Sequence, residues 1–273
     1  MKKSFKTLED CFAAVKEDGH TLEYVPKKHQ TPELCLAAIE QNGWALKFVP
    51  EELKTPELCL AAIEQNGWAL KFVPKELKTP ELCFAAILQN GWVLECVPSK
   101  FKTQKLCFAA VEDNGYAFRY VPERLKTLKL CSTAIERQGY GIGNTDIEEE
   151  DLAIRYVPKK FRTPELCLAA VQHRGYALWY VPEELKTAEL CLAAVEQPRC
   201  FVEGLSALEF VPEDLKTFKL CLTAVQRDGY ALEYVPEELK TPELCLAAVE
   251  ESGYALRYVP KKFRGKIKRA AGL

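Results

Sequence analysis

Cysteine returns on a fixed step through this chain, at Cys11, Cys35, Cys59, Cys83, Cys107 and Cys131, then at Cys167, Cys191, Cys221 and Cys245, with steps of 24 residues except for one of 36 and one of 30. A Val-Pro pair keeps the same register, with prolines at Pro26, Pro50, Pro74, Pro98, Pro122, Pro158, Pro182, Pro212, Pro236 and Pro260. A period of this length makes the repeat the folding unit. A unit so short cannot bury its own apolar face, so neighbours must complete its core. The expected fold is therefore an all-α solenoid of ten helical repeats, starting at about 7, 31, 55, 79, 103, 127, 163, 187, 217 and 241, as a single array over residues 1–273. The two longer steps place insertions at about 141–151 and 198–204.

The second copy shows how the unit works. Thr31 can N-cap a helix and Pro32 suits its first turn, where no amide hydrogen is required. All ten copies carry Thr at this position. Glu33 stands one residue early for a capping box, yet its charge favours the positive helix end. Leu34-Cys35-Leu36-Ala37-Ala38-Ile39 continues the helix to about Asn42, roughly 16 Å in all, and Gly43 reads as a left-handed stop. The helix is apolar nearly all round, so neighbouring repeats must cover it. The Ala37-Ala38 pair lets helices approach toward the short end of the ~8–10 Å range. After the glycine, Trp44-Ala45-Leu46-Lys47-Phe48-Val49 spaces as a short second helix with Trp44, Phe48 and Val49 inward. Pro50 ends it, and Glu51-Glu52-Leu53-Lys54 makes one further turn. At ~8–10 Å per step, ten repeats make a rod or arc on the order of 80–100 Å long. Lys2, Lys3 and Lys6 suit one polar end, and Lys266-Ile267-Lys268-Arg269 the other.

The formal charge is only −2, from 37 basic and 39 acidic residues, so no global field favours nucleic acid or an anionic membrane. The longest apolar run, Leu82 to Leu88, is far short of the ~20 residues that span a bilayer. The basic start meets Asp10, Lys16, Glu17 and Asp18 before any apolar stretch, unlike a signal peptide. A cytoplasmic protein is expected.

The last copy reads Pro242-Glu243-Leu244-Cys245-Leu246-Ala247-Ala248-Val249-Glu250, then Gly253-Tyr254-Ala255-Leu256-Arg257-Tyr258-Val259-Pro260. With the acidic turn and closing Leu of the other copies, this pattern resembles the tandem repeats of domain-of-unknown-function family 4116 over nearly the whole chain. Here Val-Pro stands where small residues are expected, and cysteine takes a usual aliphatic slot. The resemblance implies the fold and carries no activity. The period also looks like the leucine-rich repeat variant whose units pair an α-helix with a short tight helix.

The chemical readings are weak. Equivalent cysteines ~8–10 Å apart are too distant to bridge, since paired Cα atoms need about 4.4–6.8 Å. There is no Cys-x-x-Cys, and His20, His29 and His173 lack ligand spacing to a cysteine. The column reads as core, as does Cys96, and Cys200 is the thiol expected to be accessible. No cofactor and no metal are expected. His173-Arg174 replaces Gln-Asn at a helix end and reads as solvated. Gly139-Tyr140-Gly141-Ile142-Gly143 neither follows a strand nor opens a helix with Lys-Ser/Thr, which counts against a nucleotide loop. Glu148, Glu149, Glu150 and Asp151 lack the register of a calcium loop and instead suit the first turn of a helix capped by Asn144 or Thr145. Trp44, Trp68 and Trp92, continued by Tyr116, Tyr140 and Tyr176, read as core rather than as a ligand platform.

A non-enzymatic binding scaffold is the expected function, with another protein or peptide as partner. An enzyme or enzyme regulator using the inserted loops, and a nucleic-acid binder with a basic strip, are the rivals; nucleic acid is the less expected partner. The turns after Val-Pro give the surface direction. Repeats three to six supply Lys75, Lys100, Arg124, Lys159 and Lys160, whereas repeats seven to nine supply Glu183, Glu184, Glu213, Asp214, Glu237 and Glu238. Together with Glu148, Glu149, Glu150 and Asp151 these acids form the candidate partner-binding set, suited to steering a basic partner.

Overall fold

A computed structural model describes residues 5, 7–138, 152–197 and 206–273, and these contain helices and turns but no strand. The chain divides into two compact units, residues 1–146 and 147–273. Unit one holds α1 (Leu8–Glu17), α2 (Pro32–Gln41), α3 (Pro56–Gln65), α4 (Pro80–Gln89), α5 (Gln104–Asp113) and α6 (Leu128–Glu136). Unit two holds α7 (Ala153–Tyr156), α8 (Pro164–His173), α9 (Ala188–Val195), α10 (Phe218–Arg227), α11 (Pro242–Glu251) and α12 (Lys261–Ala270). Helices α1 to α6 of unit one, and α8 to α12 of unit two, pack side by side in succession. Both insertions fall outside the described residues, with Asn144, Thr145 and Cys200 among them. So do Lys2, Lys3 and Lys6.

The threonine caps hold in every copy. From Thr7 to Thr241, each hydroxyl accepts from the backbone N–H three residues on. In α1 the reciprocal bond from Asp10 completes a capping box. Glu33, Glu57, Glu81 and Glu165 sit one place earlier; bonds from their own backbone N–H groups and from the capping threonines hold their carboxyls below the usual range.

The helices do not end on a left-handed glycine. At Asn42 the backbone swings to φ −156°, ψ 116°, and its side chain caps a six-residue 3₁₀ helix, Gly43–Phe48, by accepting from the Trp44 N–H. Asn66, Asn90, Asn114, Asp18 and Asp228 do the same. Of the glycines described, Gly272 alone has a positive φ. The repeat glycines serve close approach instead. A Cβ on Gly67 would lie 2.6 Å from the carbonyl oxygen of Ala86 in the next repeat, and Gly19, Gly43, Gly91, Gly115, Gly175 and Gly229 meet the matching carbonyl still more tightly. That carbonyl belongs to the buried alanine that ends each pair, or at Ala134 follows Thr133, whereas Ala37, Ala61 and Ala85 are half-buried.

The core differs from expectation in the 3₁₀ helix. Ala45, Leu46 and Val49 point inward, while Trp44 is exposed and Phe48 half-buried. A 3₁₀ helix turns 120° per residue rather than 100°, which moves the two rings from the core face to its edge. The aromatic column is accordingly mixed. Trp68, Trp92 and Tyr116 are half-buried, Tyr176 is buried, and Tyr254 is exposed; Tyr140 lies outside the described residues. At the end of unit two, α12 packs on α11 and buries Ile267, which leaves Lys266, Lys268 and Arg269 exposed as a polar cap.

Candidate interaction surface

The turn after Val-Pro is a single 3₁₀ turn in eight copies, as at Glu183–Leu185, Glu213–Leu215 and Glu237–Leu239, while Pro74 opens an ordinary turn and Pro260 opens α12. Proline fixes its own φ and starts the turn, so the two residues that follow point outward. Glu183, Glu184, Glu213, Asp214, Glu237 and Glu238 are all exposed. Their roles are not equal. Glu183, Glu213 and Glu237 each bond the ammonium of the lysine three residues on, at 2.6–2.7 Å. The lysine side chains, Lys186, Lys216 and Lys240, are about as buried as the core, at 5–7 % exposure. Glu184, Asp214 and Glu238 lie outside these pairs. Glu148, Glu149, Glu150 and Asp151 are outside the described residues.

The buried cation is a feature that sequence reasoning missed. Lys54 donates to the carbonyl of Phe72, Lys78 to Cys96, Lys102 to Tyr120, Arg162 to Tyr180, Lys186 to Phe210 and Lys216 to Tyr234, in each case the ring position of the following repeat or, at Cys96, its substitute. The closing turn of one repeat is thus stapled to the 3₁₀ helix of the next. Burying an ammonium is costly unless it is hydrogen-bonded and paired, a cost offset by an acid three residues earlier in five copies. Ser99 takes the acid's place in the fourth copy, and there desolvation pushes the Lys102 ammonium below its usual range.

Adjacent turns enclose shallow clefts. One of about 400 Å³ lies in unit one between Glu23, Lys27, Phe48 and Glu51. Another of about 440 Å³ occupies the same place in unit two, between Trp179, Glu183, Lys186, Glu209, Phe210 and Glu213. Trp179 is 57 % exposed, and its ring lies 4.9 Å from that of Phe210 in the next repeat. Sequence reading passed over it, although a tryptophan in a column otherwise held by charged residues was a visible signal.

Among the described residues, the thiols offer no chemistry of the activated kind. All ten column cysteines are fully buried. Burial pushes those from Cys35 to Cys245 up to about 11. Cys96 is half-buried, and burial raises its thiol too. A reactive cysteine needs the opposite shift. Among the described residues no cluster of three or more His, Cys, Asp or Glu side chains could hold a metal ion. No described helix is long and apolar enough to cross a membrane.

The sequence model of the family described as Domain of unknown function (DUF4116) matches residues 8–54, 31–78, 55–102, 79–126, 129–186, 163–216, 188–240 and 217–264. The chain belongs to this family. Each DUF4116 match starts at the capping threonine or within the first two residues of a repeat's helix and ends on the Lys or Arg that closes the next repeat, so the family's unit takes in two successive repeats. A search of curated proteins finds no match.

Proposed function

We propose that this DUF4116 chain is a non-enzymatic, cytoplasmic binding scaffold whose acidic turns in repeats seven to nine dock a basic protein or peptide. The observation that carries this reading is the division of labour within each acidic pair. The first acid, Glu183, Glu213 or Glu237, serves the staple. The second, Glu184, Asp214 or Glu238, is exposed, has the same sign in three successive repeats and lies outside the staple pairs. Exposed like charges repel one another and so add nothing to stacking, while they speed association with an opposite charge. The buried, unactivated thiols fit a reducing compartment and a structural role.

The test follows from the same division. Reversing the first acids would break the staples, so the informative variant is Glu184→Lys, Asp214→Lys and Glu238→Lys together. A labelled octapeptide of alternating glycine and arginine is the probe. Association with the parent should be fast at low salt and slow with added salt over the range where screening grows. The triple variant should lose roughly tenfold in rate. Equal rates for parent and variant at low salt would refute the proposal.

A further inference from the structure

Immediately before the residue that precedes each Val-Pro, a ring in every copy but the fourth, where it is Cys96, stands a charged residue in nine copies: Glu23, Lys47, Lys71, Glu95, Arg119, Arg155, Glu209, Glu233 and Arg257. Where this residue is basic, it commonly lies over the ring that follows it. Lys47 is 5.4 Å from the Phe48 centroid, Arg119 5.3 Å from Tyr120, Arg155 5.8 Å from Tyr156 and Arg257 4.7 Å from Tyr258. In the seventh copy the position holds Trp179. Its indole stacks beside Tyr180 at 6.4 Å and 28° and tilts against Phe210 at 4.9 Å and 46°. A position that in four copies carries a cation over a ring, and in four others a glutamate, here carries a second ring, more than half exposed, at the wall of the 440 Å³ cleft.

The acids around this ring outnumber the cation among them. Glu183, Glu209 and Glu213 line the same cleft; Glu183 and Glu213 each already accept from a lysine, Lys186 and Lys216, and Glu209 is hydrogen-bonded to Tyr234, but a carboxylate has about four acceptor sites, so each keeps room for a further donor. Lys186, its one basic lining residue, is held by the Phe210 carbonyl and Glu183. A purely apolar occupant would strip water from the carboxylates without replacing it. A cation satisfies both features, because it gains from the face of an indole and from the carboxylates beside it. Guanidinium does so better than ammonium, since it is planar, stacks on a ring and presents a fork of donors to carboxylates.

We infer that the Trp179 cleft is a specificity pocket for an arginine side chain of a basic partner. This rests on the docking reading above and adds to it one anchoring residue: the partner's arginine occupies at repeats seven and eight the role that Arg119, Arg155 and Arg257 play in their own repeats. Trp179→Arg is then the sharpest variant. It restores a residue that the fold already accepts at three equivalent positions, and it replaces the pocket wall with a like charge.

In the full chain with ¹⁵N-labelled tryptophan, the alternating glycine–arginine octapeptide should shift the indole N–H signal of Trp179, assigned with Trp179→Phe, and leave those of Trp44, Trp68 and Trp92 in place. Trp179→Arg should weaken binding by roughly tenfold or more with its thermal midpoint preserved. A glycine–lysine octapeptide should bind more weakly than the arginine one, and a glycine–serine one not at all. Unaltered affinity in Trp179→Arg, or shifts confined to the other three indoles, would overturn the pocket. If the Glu184, Asp214 and Glu238 reversal abolishes binding while Trp179→Arg retains it, the docking surface stands and the pocket falls. If Trp179→Arg abolishes it and the reversal does not, the pocket stands without the ladder.

Discussion

Lys186 donates its ammonium to the carbonyl of Phe210 at 2.9 Å, although 24 residues separate them where 18 separate Lys54 from Phe72. The six extra residues of the eighth repeat therefore leave the staple intact.

The staple should carry measurable stability. Lys186→Met removes the donor from a buried carbonyl and should cost about 1–3 kcal/mol in denaturant unfolding. Glu183→Gln should cost less than about 1 kcal/mol, because that carboxylate is largely exposed and its ion pair is screened. If the glutamate variant were the more damaging of the two, the weight assigned to the buried hydrogen bond would be misplaced.

Two glycines make an opposed pair. Gly67→Ala places a Cβ 2.6 Å from the Ala86 carbonyl oxygen and should destabilise by roughly 1–3 kcal/mol or more, since backbone on both sides cannot give. Gly265 lies within α12, where an added methyl would meet nothing inside 4 Å, so Gly265→Ala should stabilise by about 0.5–1 kcal/mol through helix propensity. Thermal melts of both single variants decide the signs.

How much of this was legible beforehand differs by position. The threonine caps, the helix and the buried cysteine column follow from local chemistry repeated ten times, and all were readable. The glycine was found for the wrong reason: a glycine at a helix end has two uses, left-handed backbone and close approach, and only the neighbouring repeat distinguishes them. Trp44 and Phe48 were placed inward because an α-helical period was assumed where the chain winds a 3₁₀ helix. In the sequence, Lys54 and its equivalents show only as the last residue of the closing turn. Their constancy was the available clue, since the residues two and three places earlier change sign from copy to copy while Lys or Arg persists in nine of the ten. Of the candidate set, Glu183, Glu213 and Glu237 prove to have an internal role that no one-dimensional reading reveals.

Alkali should unfold the protein through its thiols. The ordinary value of about 9 in the unfolded chain rises to about 11 for Cys59 and Cys83 in the fold. The folded state holds the proton more tightly, so this contribution to stability is full below pH 9 and is lost as pH rises toward 11. The thermal midpoint should therefore fall more steeply between those values in the parent than in a Cys59→Ala, Cys83→Ala variant. Parallel curves would mean that these thiols do not couple to folding.

Deleting residues 55–78 should leave a folded protein. The cut joins Lys54 to Thr79, a junction of the kind already present at Lys78, and should bring the Lys54 ammonium to the Cys96 carbonyl in place of Phe72. Far-UV circular dichroism should keep the same signal per residue, with the unfolding m-value lower in proportion to the surface removed. Loss of cooperative unfolding would show that stability is not carried by nearest neighbours.

The glycine-to-carbonyl contact between repeats has a consequence for how such a chain can grow. It is made by main-chain oxygen and a missing side chain, so it is blind to the identity of the copy on either side. Residues 31–54 and 55–78 differ only in Glu51 against Lys75, the signature of a segment copied in register. A join that seven of the described glycines make alike lets the gene lengthen by duplication without a compensating change at the seam, and leaves the exposed turns free to diverge afterwards.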